Sequence, residues 1–249
     1  MIEKSSINKK EVKQFSNLSK YWWNEKGPFK ILHEMNKFRL QYIVMNIKRN
    51  FFNTNSQKTL NISFENLNIL DIGCGGGILS EPLSKVGAKV TAVDASSESI
   101  YTAVKHSEMN NLKINYHNCS VETLSRKCEI KFDVVIALEI IEHVNNVGDF
   151  LSNCIKLTSS SGLFFFSTIN RTVISFLGAI VIAEYILNIV PRKTHNWFKF
   201  PKPYEIYNIL IKSNASVKDI QGMSYSLWRK EWKNDTRNSI NYIGYAKLR

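Results

Sequence analysis

The sequence predicts an α/β protein with a mostly parallel sheet that carries helices on both faces. The first observation is a series of short apolar runs, which are typical of strands buried on both sides. The second is that helical patterns separate these runs, and such alternation favours parallel strands joined by crossover helices. The third is that the first run ends in a cluster of glycines, where a chain can turn sharply into a helix.

The individual elements follow from these patterns. The predicted strands are residues 68–72, 88–93, 113–117, 132–138, 162–169, 217–223 and 240–247. Helices are predicted at residues 78–86 and 96–109, and Ser96 or Ser97 is the candidate cap of the second one. We expect a loop between the last two strands.

The chain divides at a polar joint, residues 51–66, which is rich in Asn, Ser and Thr. Before it, residues 1–50 contain a dense aromatic stretch and then a helical pattern from Phe29 to Met45. They predict a helical segment that covers a binding site. After it, residues 66–249 are predicted to form one domain with an insert at about residues 171–203.

The composition suits an ordinary globular protein. The chain has 249 residues, 44% of them hydrophobic and 22% charged, which excludes disorder, collagen and coiled coil as descriptions of the whole chain. Its four cysteines show no CxxC spacing, so a reducing compartment is favoured over a disulfide framework or a zinc knuckle. The first residues lack the apolar core of a signal peptide and the Arg-rich pattern of an organelle presequence. We therefore expect a cytoplasmic location.

The net charge is the unusual feature of the composition. Thirty-three Lys and Arg residues against 21 Asp and Glu residues give +12. A field of this size favours an anionic partner, but composition does not choose between nucleic acid, a membrane surface and an acidic substrate.

The strongest motif is the glycine loop of residues 70–77, LDIGCGGG. Gly73, Gly75 and Gly77 alternate along it, and Asp71 precedes the first glycine by two positions. Asp94 closes the second predicted strand, where an acid can accept hydrogen bonds from both ribose hydroxyls of a nucleoside. A dinucleotide site would place a further glycine at position 78, where this chain has Ile.

This combination resembles the class I S-adenosylmethionine-dependent methyltransferases. The resemblance implies a Rossmann-like sheet of seven strands, mostly parallel, with an antiparallel last strand. It also implies S-adenosylmethionine as the cofactor, bound by Asp71, Asp94 and the loop glycines. The alternatives are a purely structural glycine turn and a nicotinamide enzyme.

Three polar residues follow the fourth predicted strand, whose end faces the transferable methyl group in this fold. Glu139, Glu142 and His143 have the spacing i, i+3 and i+4, which predicts that they share one helical face. Two carboxylates and an imidazole suit a divalent-metal half-site, and a metal lowers the pKa of a bound hydroxyl. Without a metal, His143 is the candidate general base, beside Glu142. The alternative is that these residues only brace the helix.

Longer stretches resemble the ubiquinone-biosynthesis O-methyltransferases. They run from about residue 15 to the end of the chain and comprise residues 22–43, 70–83, 139–144, 166–171, 183–185 and 194–203. The resemblance implies methylation of ring hydroxyls of a polyprenylated catechol and of demethylated ubiquinol. Asn24, Lys37 and Leu138 depart from the expected residues, but none of these changes removes a chemical group that the mechanism needs.

The same resemblance assigns residues to roles. It implies cofactor contacts at Arg39, Gly73, Asp94 and Leu138, with Arg39 suited to the carboxylate end of the cofactor. It also implies a divalent metal, with magnesium expected, at Glu139, Glu142 and His143.

Residues 173–190 form an apolar stretch that is near the lower limit for spanning a bilayer, and Glu184 at its middle would be costly there. The stretch suits a membrane-spanning helix, a core helix of a cap, or an interfacial segment. Four basic residues, Arg192, Lys193, Lys199 and Lys202, follow it among aromatic ones. This pattern favours contact with an anionic membrane surface through residues 173–202.

The expected partners are therefore a polyprenylated phenol or quinol and a membrane, with other ubiquinone-biosynthesis enzymes as candidates. In a bacterium we expect the protein to be attached peripherally to the cytoplasmic face of the membrane, and in a mitochondrion to the matrix face. The rival functions are methylation of RNA, methylation of another small molecule, and a non-catalytic membrane scaffold. We expect no nucleic-acid partner, because the sequence lacks the Asn/Asp-Pro-Pro-Tyr signature of base-amino methyltransferases and an appended RNA-binding module.

Overall fold

The computed structural model describes residues 6–52, 64–176, 197–226, 231–238 and 240–249. The strands of these residues are β1 (Asn68–Ile72), β2 (Lys89–Asp94), β3 (Ile114–Asn118), β4 (Phe132–Leu138), β5 (Thr158–Ile169), β6 (Ala215–Ser226), β7 (Glu231–Asp235) and β8 (Asn241–Leu248). The helices are α1 (Lys9–Leu18), α2 (Lys30–Phe51), α3 (Ser80–Lys85), α4 (Ser97–Met109), α5 (Val121–Lys127), α6 (Val147–Leu157), α7 (Val173–Ser175) and α8 (Pro203–Lys212). Short 3₁₀ turns cover Ser19–Tyr21, Ile141–His143 and Trp197–Lys199.

The strands form one sheet in the order β3-β2-β1-β4-β5-β8-β6-β7. Strands β1 to β5 pair in parallel, whereas β8 is antiparallel to both β5 and β6. The predicted α/β class, the mostly parallel sheet and the antiparallel last strand are confirmed.

The predicted number of seven strands is wrong, because the described residues form eight. The extra strand is β7, which pairs antiparallel with β6 at the edge of the sheet. Its sequence, EWKND, is polar and largely exposed, so it lacks the apolar run that marks a buried strand. Pairing with β6 therefore forms a strand where the sequence predicts a loop.

The core lies in two layers, one on each face of the sheet. On one face, Leu70 of β1 and Val135 of β4 pack with Phe150 of α6 and Leu210 of α8. On the other face, strand residues such as Ile69 pack with Tyr42, Ile43 and Ile47 of α2. Side chains of successive strand residues point to opposite faces, so a central strand that is covered on both faces is mostly apolar.

The helices agree with the sequence where a cap or a long pattern marks them. Ser96 caps α4 by accepting a hydrogen bond from the backbone N–H of Ser99. The predicted helix at residues 78–86 is shorter, because the glycine loop continues to Leu79 before α3 begins. Helices α5, α6 and α8 were not predicted as elements.

Most of the predicted apolar stretch, residues 177–190, lies outside the described residues, as do Arg192, Lys193 and His195. In the part of the chain that the structure describes, no helix combines the length and the apolar character needed to span a bilayer.

Candidate active site

The candidate site lies at the carboxyl ends of β1 and β4. These strands are neighbours, and the chain leaves them toward opposite sides of the sheet, with β2 beyond β1 and β5 beyond β4. Ligands of open α/β sheets bind in the crevice at such a switch point. A cavity of about 620 Å³ occupies this position. Its lining includes all the predicted site residues except Gly77: Arg39, Asp71, Gly73, Gly75, Asp94, Leu138, Glu139, Glu142 and His143.

The glycine loop needs glycine for two reasons. Gly73 and Gly75 have φ angles of 72° and 53°, in the left-handed region that other residues rarely adopt. A Cβ atom at Gly73 would lie 2.2 Å from Cδ1 of Ile140, and one at Gly75 would lie 2.5 Å from the ring of Trp22. The loop can therefore lie close to its neighbours only without side chains.

Gly77 serves the loop in another way. Its φ is 86°, and a Cβ atom there would lie 2.5 Å from the hydroxyl of Tyr116. It does not belong to the cavity lining, so its contact with a cofactor stays a prediction.

Asp94 fixes the loop and faces the cavity. Its Oδ2 accepts a hydrogen bond from the backbone N–H of Gly75 (2.9 Å), and its Oδ1 accepts one from Ser96 (2.8 Å). Burial raises the pKa of Asp94, although these backbone hydrogen bonds oppose the shift. Each carboxylate oxygen keeps lone-pair capacity for a further donor, as a ribose diol would require.

Asp71 is the second acid of the loop. Its Oδ2 accepts a 2.6 Å hydrogen bond from the hydroxyl of Ser80. Burial raises its pKa to about 6, and the nearby charge of Asp94 adds to the shift. A buried acid of this kind favours a cationic group in the cavity.

Arg39 and Glu139 form an ion pair on the cavity wall. Nη2 of Arg39 lies 2.9 Å from Oε1 of Glu139, and the two side chains are 5% and 13% exposed. Glu139 also accepts hydrogen bonds from Ser167 (2.8 Å) and Asn241 (3.1 Å). The pair thus joins α2 to the ends of β4, β5 and β8.

The predicted helical face of Glu139, Glu142 and His143 is wrong. Glu139 has a φ of 50°, and the helical part is a single 3₁₀ turn from Ile141 to His143. The chain turns at Glu139 because its backbone N–H donates to the carbonyl of Ser167 and its carboxylate is held from three sides. Spacing along an α-helix therefore does not apply here.

Each of these three residues has its own partner. Glu142 accepts a 2.6 Å hydrogen bond from Thr168, and burial and the charge of Glu139 raise its pKa. Nδ1 of His143 lies 3.2 Å from a carboxylate oxygen of Glu11. Burial lowers the pKa of His143, but the hydrogen bond to Glu11 and the surrounding carboxylates outweigh this effect, so its pKa lies above the ordinary value.

The three side chains do not fit a metal ion as they are arranged. Glu139 is bound to Arg39, Glu142 to Thr168 and His143 to Glu11. Within the described ranges, no group of three His, Cys, Asp or Glu side chains is placed to hold a metal.

The N-terminal segment supplies site residues that the motifs did not assign. Glu11 of α1 pairs with His143, and Phe15 contacts the same imidazole edge-on, with ring centroids 5.2 Å apart. Trp22 lies against the glycine loop and donates a hydrogen bond to Ser99. The apolar spacing of Val12, Phe15 and Leu18 is the signal for such a helix, since one face must be covered.

Comparisons with known proteins define the class first. A family model described as a methyltransferase domain matches residues 35–217. The fold is similar to that of magnesium protoporphyrin IX methyltransferase from Synechocystis PCC 6803, with a TM-score of 0.66 at 17% identity over 97% of this chain and 100% of that one. N-methyltransferase NodS from Bradyrhizobium japonicum gives a TM-score of 0.60 at 13% identity, over 96% of this chain and 98% of that one. The chain is thus a methyltransferase-domain protein.

The sequence relatives are more specific. The ubiquinone biosynthesis O-methyltransferase of Pelagibacter ubique is 44% identical over 96% of this chain and 97% of that protein. The protein of the same name from Rickettsia typhi is 43% identical over 97% of this chain and 93% of that protein. The chain belongs to the ubiquinone biosynthesis O-methyltransferase family.

Proposed function

We propose that this protein transfers a methyl group from S-adenosylmethionine to ring hydroxyls of polyprenylated catechol and demethylubiquinol intermediates. The observation that carries the proposal is the single cavity that joins the glycine loop and Asp94 to His143 at the end of β4. The residues that we assign to nucleoside binding and the proposed base thus line one cavity. The names of the sequence relatives support the choice of acceptor.

The cavity has a place for each part of the cofactor. Asp94 would accept the ribose hydroxyls, and Gly73 and Gly75 would let the ligand lie against the main chain. Arg39 would bind the carboxylate, since its fork of N–H donors matches that group. Asp71 would face the ammonium group, and Leu138 would contribute an apolar wall.

When bound, S-adenosylmethionine supplies an electrophilic methyl group on a sulfonium. His143, which lines the cavity, would remove the proton of the attacking phenol. The carboxylates of Glu11 and Glu142 would stabilise the resulting imidazolium. Holding phenol and cofactor in contact supplies much of the rate enhancement.

The magnesium ion that the family resemblance implies has no step in this mechanism, because its three proposed ligands are bound to other partners. Titration of magnesium into chelator-treated enzyme tests this point. One result would contradict the arrangement described above: magnesium stimulates turnover of the wild-type protein, and this stimulation is lost in Glu142→Gln. It would show that the side chains rearrange around a metal.

Activity is tested with purified protein, S-adenosylmethionine and a prenylated catechol in detergent. We expect one O-methylated product, and we expect Asp94→Ala to lose turnover through weaker cofactor binding. The matched control is Glu108→Gln, which changes an exposed acid that pairs with Lys105 on α4. Inactive wild-type protein with several prenyl lengths would contradict the proposal. Methylation of RNA under the same conditions would favour the rival function.

We further propose that the protein meets its lipid substrate at an anionic membrane surface through residues 173–202. Exposed apolar side chains lie in both described parts of this segment, residues 173–176 and 197–202. Val173, Ile174 and Phe176 are 71%, 56% and 43% exposed, and Phe198 is 79% exposed. Basic residues with such aromatics suit a peripheral attachment on the cytoplasmic face.

Liposome flotation tests the attachment. Wild-type protein should float with vesicles that contain anionic lipid and less with neutral ones, and Val173→Ser/Ile174→Ser should reduce flotation while cofactor binding is retained. Equal flotation of wild-type protein and variant would contradict this part of the proposal.

A further inference from the structure

The proposed mechanism uses Arg39 to bind the cofactor carboxylate but gives no role to its ion-pair partner, Glu139. Arg39 is almost fully buried, yet its Nε has no hydrogen-bond partner among the described residues. Its Nη2 is used by Glu139 and by the sulfur of Met35 (3.4 Å). A buried N–H without a partner is costly, so this guanidinium is set up for an additional acceptor.

Arg39 lines the cavity of the candidate site together with Gly73 and Asp71. S-adenosylmethionine has a single anionic group, the carboxylate of its amino-acid portion, and guanidinium N–H donors bind carboxylates in a fork. Glu139 and Met35 therefore engage Nη2, whereas no hydrogen bond within the described residues uses Nη1, which remains for the ligand.

Glu139 is itself held more firmly than an ordinary counterion. Its carboxylate accepts hydrogen bonds from Ser167 and Asn241 in addition to its contact with Arg39. Its backbone is in the left-handed region, which costs a non-glycine residue free energy and persists only where the surroundings impose it. Contacts from three elements thus fix the carboxylate that orients Arg39.

We infer that Glu139 is a positioning residue, which holds Arg39 in the orientation that binds the carboxylate of the cofactor. The inference rests on the proposed function, because it takes S-adenosylmethionine as the ligand. It assigns Glu139 a role through Arg39, separate from the metal ligation that the family resemblance implies.

The test compares two ligands that differ at the amino-acid end. S-adenosylhomocysteine carries the carboxylate and the ammonium, whereas 5′-methylthioadenosine has the same nucleoside and thioether sulfur without either group. Affinities are measured by calorimetry in chelator-treated buffer, so that any effect of Glu139 is independent of a metal. Binding of 5′-methylthioadenosine also reports that each variant is folded.

We expect Arg39→Gln and Glu139→Ala each to weaken S-adenosylhomocysteine binding by about 10-fold or more, the range of one hydrogen bond to a charged group. Binding of 5′-methylthioadenosine should change less than about 2-fold. The double variant should bind S-adenosylhomocysteine no more weakly than Arg39→Gln alone, because both changes remove the same interaction. Glu139→Gln keeps the side-chain volume and should lie between wild-type protein and Glu139→Ala. Glu108→Gln is the control for loss of one negative charge.

Additive effects in the double variant would overturn the inference. So would an equal loss of both ligands in Glu139→Ala, or unchanged or tighter S-adenosylhomocysteine binding in that variant. Wild-type protein that binds neither ligand would refute the proposed function, and this inference with it. Dependence on Arg39 without dependence on Glu139 would refute the inference alone.

Discussion

Replacing Asp71 by Asn is expected to stabilise the cofactor-free protein, and to do so more strongly as the pH rises. Burial, opposed by the hydrogen bond from Ser80, raises the pKa of this carboxyl from 3.8 to about 6. The folded state therefore holds the proton more tightly than the unfolded chain. Ionisation of Asp71 therefore destabilises the folded state increasingly as the pH rises from the pKa of this carboxyl in the unfolded chain to its pKa in the folded protein.

The magnitude follows from the pKa difference. The destabilisation is about 1.6 kcal/mol at pH 5 and reaches about 3 kcal/mol at pH 8. An Asn side chain does not ionise, so the stability difference between variant and wild type should grow by about 1.4 kcal/mol over this range. For a chain of this size the growth corresponds to roughly 3–6 °C in Tm. The desolvation cost of the Asn amide is independent of pH and cancels in this comparison.

The assay is thermal unfolding of wild-type protein, Asp71→Asn and the control Glu108→Gln between pH 5 and 8. Glu108 is an exposed acid, so its replacement should not produce a comparable trend. A stability difference that stays constant with pH, or that shrinks as the pH rises, would refute the burial argument. The same variant should bind S-adenosylmethionine more weakly, because it loses the acid that is proposed to face the ammonium group.

Three further predictions follow from the site. Binding of S-adenosylmethionine near pH 6 should release protons, because its positive charges lower the pKa of Asp71. Calorimetry in two buffers with different ionisation enthalpies should detect the release in wild-type protein and not in Asp71→Asn. Gly75→Ala should lower stability by at least about 1–2 kcal/mol, the cost of a left-handed backbone, and should displace Trp22; thermal unfolding followed by tryptophan fluorescence checks both effects. Glu11→Gln removes a partner that raises the pKa of His143, so the acidic limb of the pH–rate profile should move to lower pH. An unmoved limb would show that His143 is not the base.

The buried framework was predictable because its physical requirements are local. Strands β1 and β4 are covered on both faces, so they are mostly apolar and are recognised without knowledge of their neighbours. The glycine loop is equally local, because the positive φ angles at Gly73 and Gly75 favour glycine over other residues. Strand β7 has no such requirement, and only its pairing with β6 makes it a strand.

The arrangement of the acidic residues was not predictable because contacts distant in sequence determine it. A helical face was expected for Glu139, whereas Ser167 and Asn241 fix it in a left-handed turn. The partner of His143 is Glu11, 132 positions away, and no spacing rule connects the two. Sequence patterns can therefore identify the chemical groups of this site, whereas their pairing depends on the tertiary fold.

The contacts of the N-terminal segment also have a consequence for synthesis of the chain. The backbone N–H of Ser6 donates a hydrogen bond to Glu122, 116 positions away, and the carbonyl of Ile7 accepts one from Asn145, 138 positions away. Trp22 donates a hydrogen bond to Ser99, 77 positions away. This segment is synthesised before these partners, which follow it by 77 to 138 positions in the chain. Aromatic residues of this segment that line the cavity, such as Phe15 and Trp22, are thus exposed during translation, when nascent chains are open to aggregation. A ligand that binds only when the segment is in place would stabilise that arrangement by mass action, so the cellular supply of cofactor would also protect the newly made protein.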